Sequence, residues 1–279
     1  MRVVALHLYG DCKSLKINLT RIVFLKDYLT LWAPDFFVIS AAAVIFAGIS
    51  KGGFGSGAAF VAAAILATII DPGQAIGIML PLLMLMDVAS LKPYWGKWLK
   101  KESFYLALGG LPGVAIGAWF YSIADADALR ILIGCISLLF VLWQFSQDLK
   151  WFRATNKVLP AWVGLVSGVA AGFTSFISHA GGPPAAIYLL SSKASKTQYQ
   201  ATTVIVFWII NIIKAIPYAF LGLFTLETFI IDLALAPFAL FGVWVGVKGH
   251  HLIPERTFFF LTYILLLITG LRLIWVAIT

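Results

Sequence analysis

The 279-residue chain is 61% hydrophobic and only 11% charged, with a formal net charge of +8 and a mean hydropathy of +0.97. Soluble domains carry about 25% charged residues, so a water-soluble globule is excluded. Cys12 and Cys135 are too few for a thiolate metal centre and too far apart in sequence to suggest a disulfide framework.

Residues 1–33 are mixed and basic, with Arg2, Lys13, Lys16, Arg21 and Lys26. They lack a long apolar core and a small-residue cleavage site, so no signal peptide is read there. Residues 17–32 suit either an interfacial amphipathic helix or a poorly ordered tail. Apolar runs follow at 36–50, 57–70, 74–91, 104–122, 129–147, 160–178, 199–223, 229–247 and 257–278. A helix crosses the hydrocarbon core with roughly 17–25 residues, and most of these runs qualify. Backbone polar groups in lipid must be satisfied internally, which favours helices, and the period-two alternation of a membrane barrel is absent. The expected class is an all-α polytopic protein of the cell membrane, surrounded by the lipid bilayer.

Charges in the connecting segments separate by sign. Lys92, Lys97, Lys100 and Lys101 share one segment, Lys150, Arg153 and Lys157 the next, Lys193 and Lys196 a third, and Lys248 and Arg256 a fourth. The segments between them hold Asp71, then Asp125 and Asp127, then Glu227. Basic residues collect on the cytoplasmic side, so the lysine-bearing segments are expected there. This scheme puts the basic N-terminal tail outside; long or amphipathic tails obey the rule poorly.

The chain also matches itself weakly. At an offset of 124, Gln74 falls on Gln198, Asp87 on Asn211, Pro93 on Pro217 and Tyr94 on Tyr218. At 125, Pro112 meets Pro237, Gly117 meets Gly242 and Trp119 meets Trp244; at 126, Arg130 meets Arg256. Each half then holds about five apolar segments, the first two short and broken by glycine or proline. An odd number per half makes the second enter from the opposite side. The organisation expected is a tail at 1–33, a first transmembrane repeat at 34–147, a cytoplasmic linker at 148–159 and an inverted second repeat at 160–279. Broken or re-entrant helices open each half, and such pairs point to a secondary transporter with its site at the repeat interface.

The first break is "GISKGGFGSG", residues 48–57, and the second is "GFTSFISHAGGPP", residues 172–184. A helix restarting after a break offers unpaired N–H groups and the positive end of its dipole. Glycine lets the chain turn and leaves those N–H groups unshielded. Lys51 adds a full charge; Ser178 and His179 occupy the same region of the second half. Gly52, Gly53, Gly55, Gly181 and Gly182 complete the candidate anion site. The alternative reading of the glycines is close helix packing through small-xxx-small spacings, that of Lys51 is snorkelling to an interface, and that of His179 is a satisfied structural histidine. Asp87, Asn211 and Lys214 form a candidate polar network, serving either as a buried structural pair with Lys51 or Lys214 or as a site for a coupling proton. Gln74 and Gln198 read as helix starts, and Asp232 and Arg272 as interfacial residues.

Other classes fit poorly. No G-x-x-x-x-G-K-[ST] segment occurs, so no ATP-driven engine is visible, and no cofactor is expected. Four histidines, two of them adjacent at 250 and 251, give neither an enzyme's cluster nor a metal site. A passive anion channel and a non-transporting membrane assembly factor stay open beside the carrier.

"GISKGGFGSG" with its following apolar helix, and "GFTSFISHAGGPPAAIYLL" opening the second half, resemble the paired signatures of the TauE/SafE family, the sulfite-exporter-like permeases. The resemblance extends over nearly everything after residue 34. It implies an integral membrane protein of the bacterial inner-membrane type that moves small anions, with sulfite, sulfoacetate or related organosulfur compounds as substrates. The second break of the family often reads G-x-G-G-P; here His179 stands just ahead of the glycines, where it could tune specificity or proton coupling. The function expected is therefore a non-enzymatic secondary transporter for a small anion such as sulfite or an organosulfonate.

Overall fold

The computed structural model describes residues 33–55, 58–148, 159–249 and 255–279. The expected interfacial helix at 17–32, Cys12, Ser56, Gly57, His250, His251 and nearly all of the 148–159 linker lie outside the described residues. The chain divides into a unit ending at Ile39 and a second unit, Ser40–Thr279. Of the first unit, the described part is the opening of the first helix; the packing below concerns the second.

The described residues are helical, with no strand among them. In chain order they form α1 (Pro34–Ile49), a π turn (Ser50–Phe54), α2 (Phe60–Ala67), α3 (Pro72–Tyr94), α4 (Lys100–Ile123) and α5 (Ala126–Asp148). Then come α6 (Ala161–Ser178), α7 (Gly182–Ser191), α8 (Lys196–Phe220), α9 (Leu226–Gly249) and α10 (Glu255–Ile278). Eight of these are long and apolar enough to cross a membrane, α1 being counted with its π turn. The exceptions are α2, with 8 residues, and α7, with 10, each following a break.

Local signals set the helix starts. Asp71 caps α3 by accepting from the Gly73 and Gln74 N–H groups at 2.8 and 3.3 Å, with Pro72 supplying a first-turn residue that needs no N–H partner. Ser195 and Gln198 close a reciprocal capping box on α8. Gln74 and Gln198 thus mark helix starts, as expected.

Contacts fix the relative directions of the helices. On α6, a Cβ at Gly168 would lie 2.5 Å from the Leu106 carbonyl oxygen and 2.9 Å from the Cα of Gly109. One turn on, Gly172 approaches Gly110, and Gly117 approaches Phe176, so α4 and α6 run parallel. The equivalent seam, also between the halves, joins α1 and the π turn to α9: Gly48 lies against Ala239 and Gly242, and Gly52 against Val243 and Val247, again in parallel. Between lipid-like surfaces no hydrophobic force brings helices together, and close backbone approach through small residues does that work.

The central pair α3 and α8 runs the other way. Tyr94 packs with Ala201 and Val204, Asp87 meets Asn211, and Gly77 meets Leu223. The pair α5 and α10 is likewise antiparallel, Gly134 lying against Gly270 and Ile274 while Gly270 lies against Ser137 and Leu138. In the expected repeat α3 corresponds to α8 and α5 to α10. Antiparallel equivalents and matched parallel seams are compatible with inverted repeats. The α6–α7 pair is a hairpin: the Leu159 N–H, before α6, donates to Ser191 Oγ, at the end of α7, over 3.4 Å.

The outer surface is apolar. Phe104, Leu142, Phe229, Leu233, Phe260 and Ile268 are among many large exposed side chains on α4, α5, α9 and α10. Trp95, Trp119, Trp162 and Trp275 are exposed near helix ends, where indole rings suit the headgroup level. Lys248 sits 4.3 Å over the Trp244 ring. Arg272 is exposed, whereas Asp232, near the start of α9, is buried against neighbouring helices.

The antiparallel course of α3 and α8 has a consequence that tests the expected inverted repeat. In a background without Cys12 and Cys135, single cysteines at Lys100 and Glu227 should react with impermeant thiol reagents from opposite faces of the membrane. Labelling from one face contradicts the fold.

Candidate functional site

The two breaks are built alike. In the first, the π turn widens the helix and Gly55 leaves it with φ of 85°. In the second, His179 ends α6 in the left-handed region, with φ of 58°. These positions are repeat equivalents, since 55 plus the 124-residue separation of Asp87 and Asn211 is 179. Glycine occupies such a conformation without strain; histidine is among the few other residues enriched there. Hydroxyls latch both breaks: Ser50 Oγ donates to the Gly55 carbonyl at 2.9 Å, and Thr174 Oγ1 to that of Ala180 at 3.0 Å. Tyrosines clamp them from the neighbouring helix. The Tyr94 hydroxyl donates to the Gly52 carbonyl at 2.7 Å and that of Tyr218 to the Phe176 carbonyl at 2.5 Å. Both contacts span 42 residues. Unwound carbonyls at membrane depth thus have protein partners.

Between the breaks lies one buried polar cluster. Lys51 Nζ donates to Asp87 Oδ1 in an ion pair, and Asn211 Nδ2 donates to Asp87 Oδ2 at 2.7 Å. Lys214 Nζ meets three acceptors: the Ser175 carbonyl at 2.8 Å, Ser175 Oγ at 3.1 Å and His179 Nδ1 at 2.8 Å. His179 Nε2 lies 3.1 Å from the Ile76 carbonyl, which can only accept. The ring proton therefore belongs on Nε2, leaving Nδ1 to receive from the lysine. None of Lys51, Asp87, His179, Asn211 and Lys214 exceeds 6% exposure. The cluster thus holds two lysines and one carboxylate, a formal surplus of one positive charge within it, while Asp232 is a second carboxyl side chain buried elsewhere in the bundle.

The structure brings together five of the residues singled out in the sequence: Lys51, Asp87, His179, Asn211 and Lys214. It sets Ser178 apart, because its Oγ donates back to the Thr174 carbonyl of its own helix at 3.1 Å. Ser175, one turn earlier, faces Lys214 instead. Gly52 and Gly53 lie against the α9 backbone, and Gly181 against Phe207, Ala171 and Ser175, so close packing accounts for glycine at all three. Gly182 opens α7.

Two cavities flank the cluster. A small one of about 10 Å³ is lined by Lys51, Ser175, His179 and Asn211 together with Ala59, Leu83 and Phe207; it has room for about one water. A larger one, of about 360 Å³, touches both breaks through Gly53 and Phe54 on one side and Gly182 and Pro183 on the other. Lys196, Tyr199 and Gln200 from the start of α8 complete its polar wall. Sequence reasoning missed Ser175, Gln200 and the tyrosine clamps, although Tyr94 and Tyr218 were already visible as a repeated pair.

A model of the family described as "Sulfite exporter TauE/SafE" matches residues 40–273, almost the whole helical bundle including both breaks. The chain belongs to the TauE/SafE family. No curated protein and no solved structure matches it. Membership makes it a multi-pass membrane protein of a sulfite-exporter-type transporter family. In this TauE/SafE protein no cluster of three or more histidine, cysteine or acidic residues could hold a metal ion among the described residues.

Removing one member of a buried ion pair strands the other, typically at about 3–5 kcal/mol. Lys51→Met should therefore lower thermal stability in detergent sharply. The double variant Lys51→Met, Asp87→Asn should recover much of the loss, since the amide that replaces the carboxylate carries no charge to strand. Equal midpoints for the single and double variants would show that the pair is not the stabilising contact.

Proposed function

We propose that the protein is a secondary transporter of a small oxyanion, sulfite or an organosulfonate, held between the paired breaks. The observation that carries the reading is the surplus cation: Lys51 and Lys214 are buried beside a single carboxylate at the junction of the two broken helices. An anion entering there completes the charge balance. Its oxygens would take hydrogen bonds from N–H groups at Gly52–Gly55 and at Gly181 and Gly182, where α7 presents its dipole. Lys51 and Lys214 supply complementary charge, and His179 supplies a hydrogen bond or a coupling proton. Ser178 braces the break from within α6.

The small cavity beside the cluster admits no oxyanion, so the larger one is the entrance in this state. Trp143, Gln144 and Lys196 line it and lie close in sequence to the basic segments expected in the cytoplasm, which supports reading this as an inward-facing form.

Inverted repeats reach a second access state when one bundle rocks against the other. Exchange of the two halves' conformations carries each contact onto its equivalent, 124 positions away. The Lys214–Ser175 contact becomes one between Ser90 and Lys51, because 214 − 124 is 90 and 175 − 124 is 51. Ser90 Oγ is buried and has no hydrogen-bond partner among the described residues. Lys51 turning to Ser90 would release Asp87 to Lys214, so the carboxylate changes partner as access changes.

The test is flux into proteoliposomes across sulfite, sulfonates, sulfate and carboxylates. A carrier gives saturable, counterflow-capable uptake; unsaturated conductance would indicate a passive anion channel. Absence of flux together with a stable protein partner would indicate an assembly factor. Per folded molecule, Lys51→Ala should lose about tenfold or more of the flux, the usual scale of a charged hydrogen bond, and Lys51→Arg should retain more. Parental flux in both variants removes Lys51 from the site.

A further inference from the structure

Asp232 is a buried acid that the charged cluster leaves unused. It lies about 9 Å along α9 from Leu226, at 1.5 Å per residue, near the end expected on the outer face. Leu235, Ala239, Gly242 and Gly246 continue its stripe at helical spacing. Ala239 lies against Gly48, Gly242 against Ile45 and Gly246 against Ile49, so this stripe is the face that forms the seam with α1 and the π turn. Asp232 is 7% exposed, and its Oδ1 is shut away with no hydrogen-bond partner among the described residues. Thr228, one turn earlier, spends its hydroxyl on the Thr225 carbonyl at 3.0 Å.

No cation answers this carboxyl. The elements packed against α9 are α1, the π turn and α3. On the π turn, Lys51 is committed to Asp87, and its neighbour Gly52 lies level with Val243, about 16 Å along α9 from Asp232. On α3, Asp87 is held by Lys51 and Asn211, Asp71 caps its own helix, and Lys92 is exposed. Asp35 on α1 is exposed; on α9 itself, Glu227 is half-buried and Lys248 sits over Trp244. None of them pairs with Asp232 among the described residues. No cluster of acidic, histidine or cysteine residues stands ready for a metal ion there either. An ionised carboxyl in this seam would lack every compensation that Asp87 enjoys, so the closed seam holds the neutral acid.

We propose that Asp232 is a proton-binding site served from the outer face, and that its bound proton holds the outer part of the α1–α9 seam shut. This rests on the transport reading above and adds control of access to it. When one bundle rocks against the other and the outer seam parts, water reaches the carboxyl and the proton leaves to the outer solution. The closed form therefore holds one proton more than the open form, so external acid favours closure and external alkali favours opening. The same face of α9 supports Gly52 and Gly53, and this carries the effect to the turn that bears Lys51.

The experiment uses the full chain and two readouts. Infrared spectra in nanodiscs at neutral pH should show the carbonyl stretch of a protonated carboxylic acid that is lost in Asp232→Asn and kept in Asp87→Asn. In proteoliposomes lacking Cys12 and Cys135, Ala41→Cys reports the seam, since Ala41 is buried on α1 two turns before Gly48. Its labelling rate from outside is divided by the rate in the same protein carrying Asp232→Asn, which cancels the thiol's own pH dependence. That ratio should rise about fivefold or more when outer pH goes from about 5 to about 8. Absence of the band, or its survival in Asp232→Asn, overturns the proton site; a flat labelling ratio overturns its hold on the seam. Both outcomes leave the transport reading standing, which fails separately if no anion gives flux. Should Asp232→Asn fail to fold, Asp232→Leu takes its place as the neutral reference.

Discussion

Asp87 can hold a charge inside the bundle only through the hydrogen bonds that Lys51 and Asn211 give it. A carboxylate this deep would be far too costly alone, and its two oxygens are met from opposite directions. One partner comes from the first break and the other from the second half of the chain. This requirement ties the π turn, α3 and α8 together at the centre of the bundle. It explains why two largely apolar helices have a defined register: sliding α3 along α8 by a turn would strand the acid. The parallel glycine seams, α4 on α6 and α9 on α1, then close the bundle around this centre.

The backbone treats its halves nearly alike, and the side chains do not. Tyrosine clamps, hydroxyl latches and positive-φ exits recur at matching positions. Yet Lys51 corresponds to Ser175, Gly55 to His179, Ser90 to Lys214 and Asp87 to Asn211. Each exchange puts a charged or titratable group on one side and a neutral one on the other. A shared architecture supplies two equivalent broken helices, and the substitutions give the site one sign of charge. They also leave Ser90 Oγ without a hydrogen-bond partner among the described residues, which suits a residue awaiting another arrangement of the same cluster.

Much of this was legible in the sequence. Apolar runs marked the helices because the bilayer sets their length, and Asp87, Asn211 and Lys214 stood out within those runs as a candidate polar network. The breaks were visible because glycine, proline and charge are conspicuous between apolar runs. Side-chain direction around a break was not: Ser178 was the nearer residue to the glycines, but the turn of α6 aims Ser175 at Lys214. Gln200 carries no signal in the sequence: it is one more polar residue in the first turns of α8, after the cap at Ser195. Its importance comes from the Lys51 carbonyl, 149 residues away in sequence, which no local pattern reveals. For Gly52, Gly53 and Gly181 the close approach of neighbouring helices accounts for the missing side chain, and only a folded structure can show it.

The central claim is that the sign and size of the cluster's charge make the site select anions. The direct measurement is equilibrium affinity for sulfite at constant pH and ionic strength, comparing Lys214→Gln and Asp87→Asn with the parent. Removing a cation should weaken binding by about tenfold or more, and removing the single carboxylate should strengthen it. Affinities that shift in the opposite sense, or stay equal in both folded variants, would contradict the account.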